Sequence, residues 1–125
     1  MTVNGAIAEV DHLKSNMYKT TDKIKWLSRL DLRIYQEIIC THHRNEGEEE
    51  ISFTGYTEDD GEKTLLVGAP YDEIYLHWLE AQIDYANMEL DSFNNSNAMF
   101  EALYSSFRNA YNASHMPKTA RKKYF

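Results

Sequence analysis

Three side chains that could bind a metal, Cys40, His42 and His43, lie within four positions of one another. Zinc sites ordinarily combine two such ligand pairs at characteristic spacing. The other histidines are His12, His77 and His115. They are scattered along the chain and form no second pair, so the sequence predicts neither a metal site nor a cofactor.

Clustered carboxylates are the next candidates for chemistry. Residues 58–62 (EDDGE) could bind calcium, but their spacing does not reproduce the alternating ligands and terminal glutamate of an EF-hand loop. Glu80 and Asp84 stand one helical turn apart and could perform acid–base work, although an exposed polar strip is the simpler interpretation. The single cysteine, Cys40, follows Ile38 and Ile39 and is expected to be a buried thiol. The sequence therefore predicts that the chain is not an enzyme.

Composition restricts the class of protein. The 125 residues are 42% hydrophobic and 26% charged, which suits one globular domain. A net charge of −7 argues against broad nucleic-acid binding, because phosphate contacts need a basic face. No apolar run approaches the ~20 residues that span a bilayer, and the N-terminus lacks the features of a secretory signal. We therefore expect no membrane contact, and we expect the chain to stay in the cytoplasm of the cell that makes it.

Apolar spacing predicts two helices in the first part of the chain. The first has an apolar face of Val3, Ala6, Ile7, Val10, Leu13 and Met17. The second has an apolar face of Ile24, Leu27, Leu30, Ile34 and Ile38. Residues 20–22 offer capping side chains at its start, and Gly47 can take a left-handed conformation after its expected end near His43.

Residues 70–117 give the clearest pattern, a helical hairpin expected to break at the Asn-Asn-Ser run 94–96. One apolar stripe of its first helix is Leu76, Leu79, Ile83, Ala86, Leu90 and Phe93. The second stripe is Tyr71, Ile74, Tyr75, Trp78, Tyr85 and Met88. Two stripes carry more apolar surface than one partner helix can cover, so we expect part of it to contact another molecule.

Between the helices the period changes to that of β-strands. Alternation over residues 51–56 and a β-prone run at 63–67 predict a β-hairpin over about residues 50–67, turning at Asp60-Gly61, with a disordered acidic loop as the alternative. The expected fold class is therefore mainly α. It is a small helical bundle with an α-helical hairpin and one β-hairpin insertion, forming a single domain over residues 1–117, followed by an extended basic tail at 118–125.

Aromatic and basic residues mark the predicted contact surfaces, because tyrosine and tryptophan are common interface anchors. In the hairpin these residues are Tyr71, Tyr75, Trp78 and Tyr85. In the tail they are Lys118, Arg121, Lys122, Lys123, Tyr124 and Phe125. Eight of the 20 acidic residues lie between Glu46 and Glu62, so we expect acidic and basic surfaces at separate ends of the molecule.

An ordered series of short runs resembles the head–tail connector, or adaptor, proteins of tailed phages and prophages of Gram-positive bacteria. The runs are 65–67 (LLV), 69–75 (APYDEIY), 79–84 (LEAQID), 93–96 (FNNS) and 111–117 (YNASHMP). The resemblance implies a mostly helical virion protein of the neck that forms a ring, a dodecamer in this family, beneath the portal protein. Such a ring extends the DNA channel without specific DNA binding and docks the next neck or tail protein.

In such a ring, acidic residues could line the channel, because like charge keeps passing DNA from adhering. The residues expected there are Glu48, Glu49, Glu50, Asp59 and Asp60. The alternative function is a small acidic regulator or inhibitor that binds a basic partner through the residues between Glu46 and Glu62.

Overall fold

Four α-helices make up most of the chain that the computed structural model describes, residues 1–118. They are α1 (Val3–Leu13), α2 (Thr20–Ile34), α3 (Ile74–Ala86) and α4 (Leu90–Ser114). A π-helical turn (Tyr35–Ile39) continues α2, and a 3-10 turn covers Glu58–Asp60. The mainly α fold class is thus confirmed. The predicted tail contacts Arg121, Lys122, Lys123, Tyr124 and Phe125 lie outside the described residues.

Helix α3 occupies the centre of the fold, in contact with α1, α2 and α4. Its two apolar stripes therefore meet three helices rather than one. The fully or nearly buried apolar residues of α3 are Ile74, Tyr75, Leu76, Leu79, Ala81 and Ile83. The apolar surplus predicted for this helix is mostly covered inside the subunit, and it remains uncovered only toward the C-terminal end of α3.

The predicted apolar face of α2 is buried along its whole length, from Ile24 to Ile38. In α1, the side chains from Val3 to Val10 reach the core, whereas Leu13 and Met17 are exposed. The reason is that α1 ends at Leu13, so Met17 belongs to a linker rather than to the predicted helix. The burial of each large aliphatic side chain contributes about 1.5–3 kcal/mol, which makes these faces the main source of stability.

Helices α3 and α4 form the predicted helical hairpin, but its break lies at residues 87–89. The expected break at 94–96 is wrong, because α4 runs through this Asn-Asn-Ser stretch without interruption. Ser96 fits there because it faces α3, where its hydroxyl donates to the Asp84 carboxylate at 3.0 Å. Met88 adopts a left-handed φ of 60°, which is incompatible with continuing α3.

The predicted β-hairpin over residues 50–67 is not formed. Asp60 instead caps the 3-10 turn, its carboxylate accepting the Thr57 N–H at 2.7 Å. Gly61 has a φ of −55°, whereas the expected hairpin turn needs positive φ, and it is packed against the Asn4 side chain. The chain after Gly61 pairs with the N-terminus through three backbone hydrogen bonds, Asn4 N to Gly61 O, Val3 N to Lys63 O and Leu65 N to Met1 O.

A buried carboxylate, Asp31 of α2, attaches the irregular segment 56–67 to the helices. It accepts hydrogen bonds from the Tyr75 hydroxyl at 2.6 Å, from the Leu66 N–H at 3.1 Å and from the Tyr56 hydroxyl. Burial raises the pKa of Asp31, although these donors act in the opposite direction. Burial raises the pKa of both Tyr56 and Tyr75, and the nearby Asp31 charge adds to this effect.

The π-helical turn after α2 changes which side chains face the core. Its i→i+5 geometry is seen in the Cys40 N–H, which donates to the Tyr35 carbonyl at 2.8 Å. Ile38 stays buried, but Cys40 is exposed. The prediction of a buried thiol is therefore wrong, because a regular helical register does not continue through this turn.

Candidate functional site: two ends of the subunit

The four aromatic residues predicted to contact a neighbour differ in exposure. Tyr75 is fully buried and bonded to Asp31, so it is not available to another molecule, contrary to the prediction. Trp78 is half-buried, and its Nε1–H donates to the Trp26 carbonyl at 2.8 Å. Tyr71 is also half-buried. Only Tyr85 is largely exposed, at 64%.

Tyr85 belongs to a group of exposed apolar side chains at the α3–α4 turn and the neighbouring α1–α2 linker. We call this group the apolar end. Its members and their exposed fractions are Leu13 (59%), Met17 (99%), Tyr85 (64%), Met88 (83%) and Leu90 (61%). Clustered exposed apolar side chains are unusual on a soluble domain and often mark a contact surface for another protein. Methionine suits such a surface because its flexible thioether adapts to different shapes.

Three polar contacts hold the linker and the turn in place, of which two are partly buried and the Tyr18–Asn87 bond is exposed. Lys14 in the linker donates to the fully buried Asp84 carboxylate of α3 at 2.5 Å. The Tyr18 hydroxyl donates to Asn87 Oδ1 at 2.6 Å. Lys23, itself only 3% exposed, donates to the Tyr18 carbonyl at 2.9 Å. The exposed side chains of the apolar end are therefore displayed on a fixed backbone.

The opposite end of α4 carries charged groups as well as exposed apolar side chains, since Met116 is 69% exposed and Ile51 is 40% exposed. Helix α4 has 25 residues and is thus about 37 Å long, which separates this end from the apolar end. Here the loop after the π-helical turn folds back on the end of α4, where Asn45 Nδ2 donates to the Ser114 carbonyl at 3.0 Å. His115 stacks on Tyr111 with centroids 3.8 Å apart and lies 3.0 Å from Glu48 Oε1.

A cleft of about 340 Å³ lies beside these contacts, and we call it the acidic cleft. Its carboxylates are Glu48, Glu49 and Glu50, and its apolar lining includes Ile39, Ile51 and Tyr111. Glu48 is engaged, because the Asn45 N–H donates to it at 2.7 Å, and this bond, with His115 adding to it, lowers its pKa. Glu49 and Glu50 are exposed and have no ion-pair partner within residues 1–118.

The predicted separation of opposite charges is wrong for the described part of the tail. Lys118 lines the same cleft as Glu49 and Glu50, so basic and acidic groups meet at one end. The other predicted channel residues, Asp59 and Asp60, lie on the 3-10 turn close to α1, where Asp60 pairs with Lys63 at 3.3 Å. The acidic residues thus form two segments on different elements rather than one loop.

The candidate acid–base pair of α3 has structural partners. Asp84 is buried against Lys14, and Glu80 lies 3.2 Å from His77 Nδ1. Within residues 1–118, no three His, Cys, Asp or Glu side chains come together in a group that could hold a metal ion. None of the helices in this part of the chain combines the length and apolarity needed to cross a membrane.

Apolar spacing alone does not predict most of the apolar end. Leu13, Met88 and Leu90 continue the predicted apolar faces, and their spacing gives no sign that Leu13 ends α1, that Met88 lies in a turn or that Leu90 begins α4. The burial of Asp31 gives no signal in the sequence, because a single acid between Leu30 and Leu32 suggests a helix surface. One available signal was the Asn87-Met88 pair, since asparagine favours turns and helix ends.

Comparisons with known proteins add no assignment to either end. No family model, curated protein or solved structure matches this chain. The apolar end and the acidic cleft, on opposite ends of α4, are the two features from which a function can be argued.

Proposed function

We propose that this chain is a structural subunit of the neck of a tailed phage, a head–tail connector that assembles as a ring under the portal protein. The ring would be a dodecamer by the family resemblance, would extend the DNA channel, and would dock the next neck or tail protein. The short runs that resemble this family lie between residues 65 and 117, which include α3, α4 and the apolar turn between them.

The observation that carries this proposal is the apolar end. Met88 and Leu90 place large apolar side chains in solvent at the tip of the helical hairpin, with Met17 beside them on the linker. This surface is too exposed to stabilise the isolated subunit. It is suited to burial against another protein, where each such side chain can contribute about 1.5–3 kcal/mol. We assign the contact with the portal protein to this end.

The carboxylates support the same proposal in a different way. Asp59, Glu49 and Glu50 are exposed, and the last two have no ion pair with any residue of the described range 1–118. In a ring, the carboxylates that face the channel would repel the DNA phosphates and keep the passing strand from adhering. Basic residues of the tail would contact the neighbouring component, where they gain charge-assisted hydrogen bonds.

The test is co-sedimentation of the purified chain with the portal ring encoded beside it. The altered protein carries Met88→Ser and Leu90→Ser, which remove apolar surface without touching the core. The control carries Met99→Ser, because Met99 is 55% exposed but lies within α4 rather than at its tip. We expect the double variant to lose at least about tenfold in portal affinity, since two apolar contacts disappear.

Two results would contradict the proposal. Failure of the wild-type chain to bind any portal ring would remove the connector function itself. Equal binding by the wild type and the double variant would remove the apolar end from the contact.

A small acidic regulator is the second candidate, and the acidic cleft is the observation that favours it. A basic peptide could place its cations beside Glu49 and Glu50 while its apolar groups contact Ile51. The two functions differ in a direct way. A regulator that carries Met88→Ser and Leu90→Ser would still bind its basic partner. A connector that carries the same two changes would no longer bind its portal ring.

A further inference from the structure

The acidic cleft combines apolar walls with two carboxylates that have no ion-pair partner among residues 1–118, and Arg44 and Lys118 also line it. Glu49 and Glu50 are exposed at its rim, while Ile39 and Tyr111 are half-buried in its lining. A cleft of this kind fits a peptide segment that carries both cations and large apolar side chains. The cations would meet the carboxylates, and the apolar side chains would cover the walls.

The described chain ends at the wall of this cleft. Residues 116–118 run antiparallel to residues 41–43, with the His43 N–H donating to the Met116 carbonyl at 2.8 Å and the Lys118 N–H donating to the Thr41 carbonyl at 2.9 Å. This pairing cannot extend further, because the residues before Thr41 belong to the π-helical turn. The chain therefore leaves Lys118 beside the cleft, which Lys118 itself lines.

The segment that follows has the chemistry that the cleft needs. Residues 119–125 contain Arg121, Lys122, Lys123, Tyr124 and Phe125. Seven residues reach about 24 Å when extended, which is ample for a cleft that begins at the preceding residue. We propose that residues 119–125 occupy the acidic cleft of their own subunit, pairing their cations with Glu49 and Glu50. This inference does not depend on the connector function.

Such binding would be weak and reversible, because the ion pairs are at the surface and are screened by salt. Its consequence is that the basic tail and the acidic cleft mask each other in the isolated subunit. A neighbouring protein that offers a stronger site for the tail would release both surfaces together.

The single cysteine provides a direct measurement, because Cys40 is exposed and lines the cleft. The rate of its alkylation by iodoacetamide is compared for the full chain and for a chain that ends at Lys118. We expect the shortened chain to react about fivefold faster, the ratio given by a closing free energy of about 1 kcal/mol. The shortened chain also lacks three cations, and their loss should disfavour the reactive thiolate and slow the reaction. A faster reaction of the shortened chain therefore reports uncovering of the cleft.

A charge reversal separates the cleft from general electrostatics. Glu49→Lys with Glu50→Lys should abolish the protection of Cys40 by residues 119–125. The full chain and the shortened chain that both carry this reversal should then be alkylated at the same rate. The same reversal in the shortened chain measures the effect of charge on the thiol alone. Glu58→Lys with Asp59→Lys is the matched control, because these acids are exposed but do not line the cleft. It should leave the protection intact.

Three outcomes would overturn the proposal. Equal alkylation rates for the full and shortened chains would show that the tail does not cover the cleft. Protection that survives the reversal at residues 49 and 50 would place the tail elsewhere. Protection that increases with protein concentration would mean that the tail of a second copy occupies the cleft.

Discussion

The apolar end and the charged end of α4 are held in place by different kinds of polar contact. At the apolar end, Lys14 pairs with a carboxylate of Asp84 that is 0% exposed. At the charged end, His115 pairs with Glu48, whose side chain is 45% exposed. A buried charge that loses its partner is costly, whereas a surface pair contributes little because water replaces either partner.

This difference teaches how each end can be used. The apolar end is preorganised, so a partner that binds there has little backbone entropy left to remove. At the charged end, the contact between the exposed Glu48 and His115 is screened by salt, whereas backbone hydrogen bonds join residues 41–43 to residues 116–118. The four predictions that follow test this distinction, beginning with the largest expected effect.

The strongest test is Lys14→Met, which keeps the length of the side chain but leaves Asp84 buried without its cation. We expect a loss of about 3 kcal/mol in the free energy of unfolding, measured by urea denaturation. Lys25→Met is the control, because Lys25 is exposed and has no ion pair within residues 1–118. It should change stability by less than about 0.5 kcal/mol. Similar losses for the two variants would erase the distinction between the ends.

Asp31→Asn tests an enclosed carboxylate that lies between the two ends. It disrupts hydrogen bonds from Tyr56, Tyr75 and Leu66, so we expect a loss of about 2 kcal/mol. Burial raises the pKa of Asp31 in the folded protein above 3.8, because the neutral carboxyl is favoured there. The stabilisation that follows from this shift is fully present below pH 3.8. It is lost as the pH rises through the folded pKa.

The deficit of Asp31→Asn should therefore be larger at about pH 4 than at about pH 7, because the variant cannot ionise at this position. Urea unfolding of both proteins at the two pH values measures it. A deficit that increases with pH would mean that the hydrogen bonds to the charged form outweigh burial.

Periodicity predicted the helices well because a helix with an apolar face must bury that face. The face of α2 from Ile24 to Ile38 is an example, and all of its predicted members are in the core. The same reasoning failed where the spacing continues beyond the end of a helix. Met88 continues the stripe of Tyr71 and Trp78 in the sequence, but its left-handed backbone turns it out of the hairpin.

The irregular segment could not be predicted because its partners are distant in the sequence. Residues 63–67 have the composition of a strand, yet their backbone pairs with Met1 and Val3 rather than with a second strand. The Asp31 network is likewise invisible, because it joins α2 to residues 25 and 44 positions away. At the charged end, the neighbours Ile38 and Ile39 predicted burial of Cys40, and the error arose because a π-helical turn cannot be distinguished from an α-helix in the sequence.

Met88→Gly has a smaller effect of the opposite sign. A non-glycine residue at φ 60° is strained, and glycine adopts this conformation freely. We expect the free energy of unfolding to rise by about 1 kcal/mol while binding at the apolar end weakens. Met99→Gly is the control, since the same change inside α4 should lower stability by about 1 kcal/mol. Destabilisation by Met88→Gly would show that the exposed methionine contributes to the fold.

His115→Gln should have the smallest effect, and its interest lies in the pKa of Glu48. The main cause of the lowered pKa is the hydrogen bond from the Asn45 N–H, which this substitution leaves in place. NMR titration should therefore show a pKa that rises slightly but stays below 4.5, with a urea midpoint that falls only slightly, through loss of the ring stack on Tyr111. A full return to 4.5 would make the histidine the dominant partner. Because His115→Gln and Lys14→Met each remove a side chain that pairs with a carboxylate, the contrast between them measures how far burial, rather than pairing itself, decides the cost.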